Sequence, residues 1–232
     1  MALLKEFCAE NVEHVPAAVA AGAGRIELCD NLAVGGTSPS YGVIRAAVDF
    51  ASAHDVDVMA MARPRGGNFV YTPEEEQMML DDVAMARSLG VSGVVFGCLV
   101  ADPATGEPVI DRAMTKRLVE AAHGPVLGAD GTEQDIPPVW VTFHMAFDEL
   151  PEPRQLEAID YLAELGVERI LTHGGAAGTP IMDNVDHLKR LIAHADGRII
   201  ILPGGGISYQ NAEEVAEALS VHEVHGTKIV QL

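Results

Sequence analysis

Short β-rich apolar runs and helical segments alternate along the whole chain, and no other feature restricts its fold as much. The candidate strands are residues 3–8, 25–29, 56–62, 93–98, 139–144, 169–173, 198–202 and 223–226. Between them lie residues 12–21, 39–53, 73–89, 111–122, 154–165, 182–195 and 212–219, where apolar side chains recur at helix spacing, as Met78, Val83, Met85 and Leu89 do. Helix-start chemistry supports the division: Ser38-Pro39 and Thr72-Pro73 each set a hydroxyl before a proline, and Glu75 follows Thr72 by three. Leu89-Gly90 and Leu165-Gly166 read as helix ends. Each helix between two strands is a crossover, so the strands pair in parallel. Eight such strands close on themselves more naturally than they extend. The expected architecture is α/β, a single (β/α)8 TIM barrel over residues 1–232, with the eighth helix short or missing because the last strand lies near residue 232. A doubly wound open sheet is the alternative. Residues 124–138, rich in Gly, Pro and Asp, form the longest expected loop; they precede a strand and so belong to the face opposite a barrel's chemistry.

Composition narrows the function. Fifteen Lys and Arg against 34 Asp and Glu give a net charge of −19, which repels nucleic acid and anionic lipid surfaces. No apolar run approaches the roughly 18 residues of a membrane span, and residues 1–6 do not read as a signal peptide. Three cysteines make no disulfide framework, so a reduced, cytoplasmic setting is expected.

In such a barrel the chemistry gathers where strands end. The first two candidate strands end in Glu6-Phe7-Cys8 and Glu27-Leu28-Cys29. Residues two apart share a strand face, so each cysteine stands one layer above its glutamate, and neighbouring strands about 4.8 Å apart bring the two thiols close. Glutamates inside a barrel need partners; Arg63 and Arg65, in Arg63-Pro64-Arg65-Gly66-Gly67, are the expected ones, as a scaffold layer or as an anion site. Gly204, Gly205 and Gly206 after the seventh strand are candidate phosphate binders through backbone N–H groups, and Thr172 ends the sixth strand among the ligand-binding candidates. His144, His173 and His225 stand at three strand ends. His144 is the preferred acid or base, oriented by Asp148, with Glu6 and Glu27 as further catalytic candidates. His225 is expected to face the first strand near Cys8. There is no HxH or HExxH zinc spacing, no GxGxxG or Walker loop and no GxSxG, so no nucleotide cofactor is expected.

At these residues the chain resembles the CutC family, named for copper homeostasis, over nearly its whole length. The matching stretches include Glu6-Phe7-Cys8, Arg25-Ile26-Glu27-Leu28-Cys29, Arg63-Pro64-Arg65-Gly66-Gly67, Val141-Thr142-Phe143-His144, Pro203-Gly204-Gly205-Gly206-Ile207 and Glu223-Val224-His225-Gly226. The resemblance implies a TIM barrel, a cytoplasmic homo-oligomer (dimer or tetramer) and a role in binding copper. The chain departs from the family's pattern at Thr37-Ser38 for Leu-Thr, at Asn68 for Asp and at Met145 for Arg; the last removes a cation from the expected site.

Three functions stay open. Cys8 and Cys29 could ligate soft Cu(I), with His225 or Met59 nearby. The strand ends could instead form an enzyme, a lyase, isomerase or hydrolase acting on a small anionic metabolite, phosphorylated or not, held by Arg63, Arg65 and the triple glycine. The barrel could also be an inert scaffold for a partner.

Overall fold

The computed structural model describes residues 2–127 and 130–232. Eight parallel strands are arranged in a ring: β1 (Leu4–Glu10), β2 (Arg25–Cys29), β3 (Asp57–Met61), β4 (Gly93–Phe96), β5 (Trp140–Phe143), β6 (Arg169–Thr172), β7 (Ile200–Pro203) and β8 (Glu223–Gly226). The hydrogen-bonded order runs β7-β6-β5-β4-β3-β2-β1-β8. β8 pairs with β1 in register Glu6 to His225, while β7 and β8 lie against each other without a ladder. The result is a nearly closed barrel.

Seven α-helices cross over between the strands among the described residues: α1 (Val15–Ala20), α2 (Tyr41–Ser52), α3 (Pro73–Ser88), α4 (Arg112–His123), α5 (Glu152–Glu164), α6 (Val185–Ala195) and α7 (Ala212–Leu219). Residues 227–232 after β8 form turns and a bridge between Lys228 and Ser208, and no eighth helix follows among the described residues. The α3 start follows its sequence signal: Thr72 and Glu75 exchange side-chain and backbone hydrogen bonds in a capping box. The α2 start shifts by two residues. Ser40 caps it, because the Ser38 hydroxyl is occupied in accepting the Arg63 N–H at 2.9 Å. A short hairpin (Leu99–Ala101 with Pro108–Ile110) follows β4. The expected long loop contains a second, Val126–Leu127 with Glu133–Gln134; part of that loop, residues 128 and 129, lies outside the described residues. Arg87 of α3 holds the loop's two ends by donating to the carbonyls of Gly124, Ile136 and Pro137.

Strand alternation sorts the side chains. Phe7, Ala9, Ile26, Leu28, Val58, Ala60, Val94 and Phe96 belong to the apolar shell that packs against the helices. The opposite face of the same strands carries Glu6, Cys8, Arg25, Glu27, Cys29, Met59, Met61 and Val95 into the barrel. Gly93 makes room in that interior, since a Cβ there would stand 2.2 Å from the Met59 methyl.

Candidate functional site

Ion pairs fill the lower barrel. The Arg25 guanidinium is 1% exposed and is clasped by two carboxylates: its Nε donates to Glu6 Oε2, and its second terminal nitrogen donates to Glu223 Oε2 at 2.6 Å. Arg169 reaches the same Glu223 oxygen at 2.8 Å and lies over the Trp140 ring. The expectation that Arg63 and Arg65 neutralise Glu6 and Glu27 is therefore corrected. Arg25 sits in register with Glu6 on the adjacent strand and is already inside.

One layer higher, Glu27 and His225 join the two thiols. Cys8 donates to Glu27 Oε2 at 3.2 Å and Cys29 to the same oxygen at 3.7 Å. His225 spans both glutamates, with Nδ1 2.8 Å from Glu6 Oε1 and Nε2 3.7 Å from Glu27 Oε2. Two sets of donor atoms fall within 4.8 Å of one another: Cys8, Glu27 and Cys29, and Glu6, Glu27 and His225. Burial alone would raise the Glu6 pKa, but the His225 hydrogen bond and the Arg25 charge overcome it and hold Glu6 at about 2. Glu27 is raised, by burial and by the neighbouring Glu6 charge against the pull of His225. The Cys8 thiol is pushed well up by its contact with Cys29, by burial and by the Glu27 carboxylate. His225 is pushed well above the usual imidazole range, because Glu27, Cys8 and Glu6 outweigh its burial. The floor thus favours the protonated forms of the two thiols and of His225 beside Glu6 and Glu27.

Above this floor opens a cavity of about 630 Å³ at the C-terminal ends of the strands. Cys8, Glu27 and His225 form its base. Leu32, Val34, Met61, Phe69, Leu171 and Ile207 give it an apolar wall, and Arg63, His144, Gly205, Gly206 and Lys228 also line it. Arg63 is buried with no carboxylate partner among the described residues. Its terminal nitrogens donate to the carbonyls of Val34, Gly35, Gly36 and Gly67, and its guanidinium lies over Phe69. Arg65 turns away from the mouth, onto Glu75 of the α3 capping box and the Asn68 and Val70 carbonyls. The two arginines do not form one clamp.

His144 lines the cavity, but Asp148 does not orient it. Asp148 instead accepts from the Thr172 hydroxyl and from the His173 N–H at 2.9 Å, tying β6 to the segment after β5. The Nδ1 of His144 accepts the Ala146 N–H at 3.1 Å, and its Nε2 has no partner among the described residues. Burial and the nearby Arg63 charge lower its pKa to about 3. Thr172 is fully buried and spent on Asp148, and Gly204 donates to the Thr172 carbonyl, so neither reaches the cavity; Gly205 and Gly206 do. Met59 packs beneath the thiols.

The sequence profile of the CutC family matches residues 3–230. A CutC family protein of Enterococcus faecalis is 53% identical over 228 residues, which is 98% of this chain and 100% of that one. The chain belongs to the CutC family. A CutC family protein of Streptococcus pyogenes is 41% identical over the same shares of both chains. The crystal structure of a CutC protein of Streptococcus agalactiae, to which a copper-homeostasis role is attributed, superposes with a TM-score of 0.87 at 39% identity, covering 98% of this chain and 100% of that one. The deoxyribose phosphate aldolase of Aeropyrum pernix superposes with a TM-score of 0.62 at 12% identity, over 97% of this chain and 86% of that one, and shares the fold alone. In this CutC chain, Met145, in the position where the family resemblance leads one to expect arginine, lines the cavity. Arg25, Arg169, Glu223 and Lys228 were not among the sequence candidates. Arg25 and Glu223 stand two residues before Glu27 and His225 on the same strand faces, and that spacing could have revealed them.

Proposed function

We propose that this CutC family protein binds Cu(I) as cargo, with Cys8 and Cys29 as ligands at the base of the barrel mouth. The observation that carries the reading is the meeting of both sulfurs at one Glu27 oxygen, within reach of one ion. Thiolates are the ligands a soft monovalent copper ion prefers. The donor set suits that ion better than a hard one, because the cluster holds two sulfurs and a single carboxylate. The copper-homeostasis name of the S. agalactiae relative agrees with it. All three cysteines are free, in keeping with a reducing cytoplasm.

Binding must displace the thiol protons, which burial and Glu27 hold in place. Affinity therefore rises with pH, by up to about tenfold per unit for each proton released to solvent. Cu(I) titration of the reduced protein against a chelator of known affinity should give one tight equivalent that tightens from pH 6 to pH 8. The double variant Cys8→Ser/Cys29→Ser should lose it. Unchanged stoichiometry in that variant removes these cysteines as ligands.

A second reading rests on the cavity. About 630 Å³ far exceeds what an ion needs and falls within the range of small-molecule sites. Arg63 supplies positive charge there, and Gly205 and Gly206 supply backbone, so a small anionic metabolite fits the same mouth. Thermal-shift screening of organic acids and phosphorylated sugars tests it, and a screen without any stabilising ligand counts against it.

A further inference from the structure

Three buried side chains of the cavity lining carry an atom that no described residue satisfies: Arg63, whose Nε lacks a partner, and two others. One is Glu27, whose Oε2 serves both thiols while Oε1 has no partner among the described residues. The other is His144. Its Nδ1 accepts the Ala146 N–H, which fixes the tautomer: in the neutral ring the proton sits on Nε2, and that N–H is free. The ring is held in place by Phe69, 5.0 Å away between centroids, and by Gly97, where a Cβ would come within 2.5 Å of Nδ1. Low basicity keeps the ring neutral at physiological pH, so it offers a hydrogen-bond donor and not a charge. The charge comes from Arg63, which lines the same cavity; its terminal nitrogens donate to carbonyls, while its Nε has no partner among the described residues. Buried polar groups of this kind are ordinarily satisfied, and a ligand is one means of doing it.

We propose that the mouth takes a small hydroxy or amino carboxylic acid: a carboxylate oxygen accepts the His144 Nε2–H beside Arg63, and the hydroxyl or amino group donates to Glu27 Oε1. The proposal rests on the reading of the cavity as an organic-anion site and names the class of anion. Arg63 draws the negative end toward His144. Glu27 Oε1, without a partner among the described residues, selects a donor at the other end.

The test is an NMR titration of the full-length ¹⁵N-labelled protein with three probes: lactate, propionate and inorganic phosphate. Before any addition, the His144 side-chain nitrogens should show an unprotonated Nδ1 and a protonated Nε2. Lactate should move the Nε2–H signal saturably. Propionate, the same acid without the hydroxyl, should bind about tenfold more weakly, as expected when a hydrogen bond to a charged group is lost. His144→Phe should weaken lactate by a similar factor, with His144→Gln recovering part of it; the wild-type signal decides the matter if either variant fails to fold. Phosphate binding that leaves the His144 signal unmoved, with lactate inert, overturns the proposal and leaves the organic-anion reading standing. Equal affinity for lactate and propionate overturns the role of Glu27. Silence from all three probes overturns the proposal and the reading beneath it.

Discussion

Arg25 shows how a charge comes to be tolerated inside a barrel. Burial would be prohibitive for a lone guanidinium, but Glu6 and Glu223 approach it from both sides. Removing one partner of such a network leaves an uncompensated buried charge, so Glu6→Gln should cost about 3–5 kcal/mol in urea unfolding. The same residue sets an acid limit. Glu6 is held at about 2 when folded against an ordinary 4.5, so the stability it provides is fully present above pH 4.5 and lost as pH falls toward 2. His144, lowered from 6.5 to about 3, acts in the same sense: the unfolded chain takes up a proton that the folded chain refuses, and stability drops as pH falls from 6.5 toward 3. Between pH 7, 5 and 3.5 the unfolding free energy should fall less in Glu6→Gln and in His144→Gln than in the unsubstituted protein, and equal slopes contradict both assignments. At this scale the sequence showed which glutamates and cysteines share a strand face, because that follows from a period of two. It did not show which arginine meets them. Arg63 and Arg65 drew attention through their proline and glycines, whereas their partners, the carbonyls of residues 34–36 and Glu75, come from a loop path and a helix cap.

The elements themselves were the most legible level. β2 and β8 coincide with their apolar runs and the other strands differ by one or two residues at an end, since frayed termini carry no pattern of their own. The two small hairpins were not visible, being too short for alternation to register. The α3 capping box couples an element to a loop, because Glu75 both caps the helix and receives Arg65. Thr72→Ala should cost about 1 kcal/mol in stability. Gly97, just past β4, has the opposite character. Gly97→Ala places a methyl against the His144 ring, and should cost about 1–3 kcal/mol by overpacking while displacing the His144 NMR signals.

At the scale of the whole molecule, the barrel closes through side chains where its backbone ladder stops. Glu223 of β8 receives Arg25 from β2 and Arg169 from β6, bracing the interior beside the β7–β8 seam. The same closure delivers Cys8, Cys29, Glu27 and His225 from three strands to one floor. Eight alternating segments made the ring foreseeable. The seam and the depth of the cavity depend on how far loops such as residues 63–71 fold over the mouth, which no local pattern encodes. The most direct test of the account is X-ray absorption at the copper edge on protein loaded with one equivalent of Cu(I). We predict a first shell of two sulfur scatterers that is lost in Cys8→Ser/Cys29→Ser. A shell of nitrogen and oxygen only, or one unchanged in that variant, contradicts it.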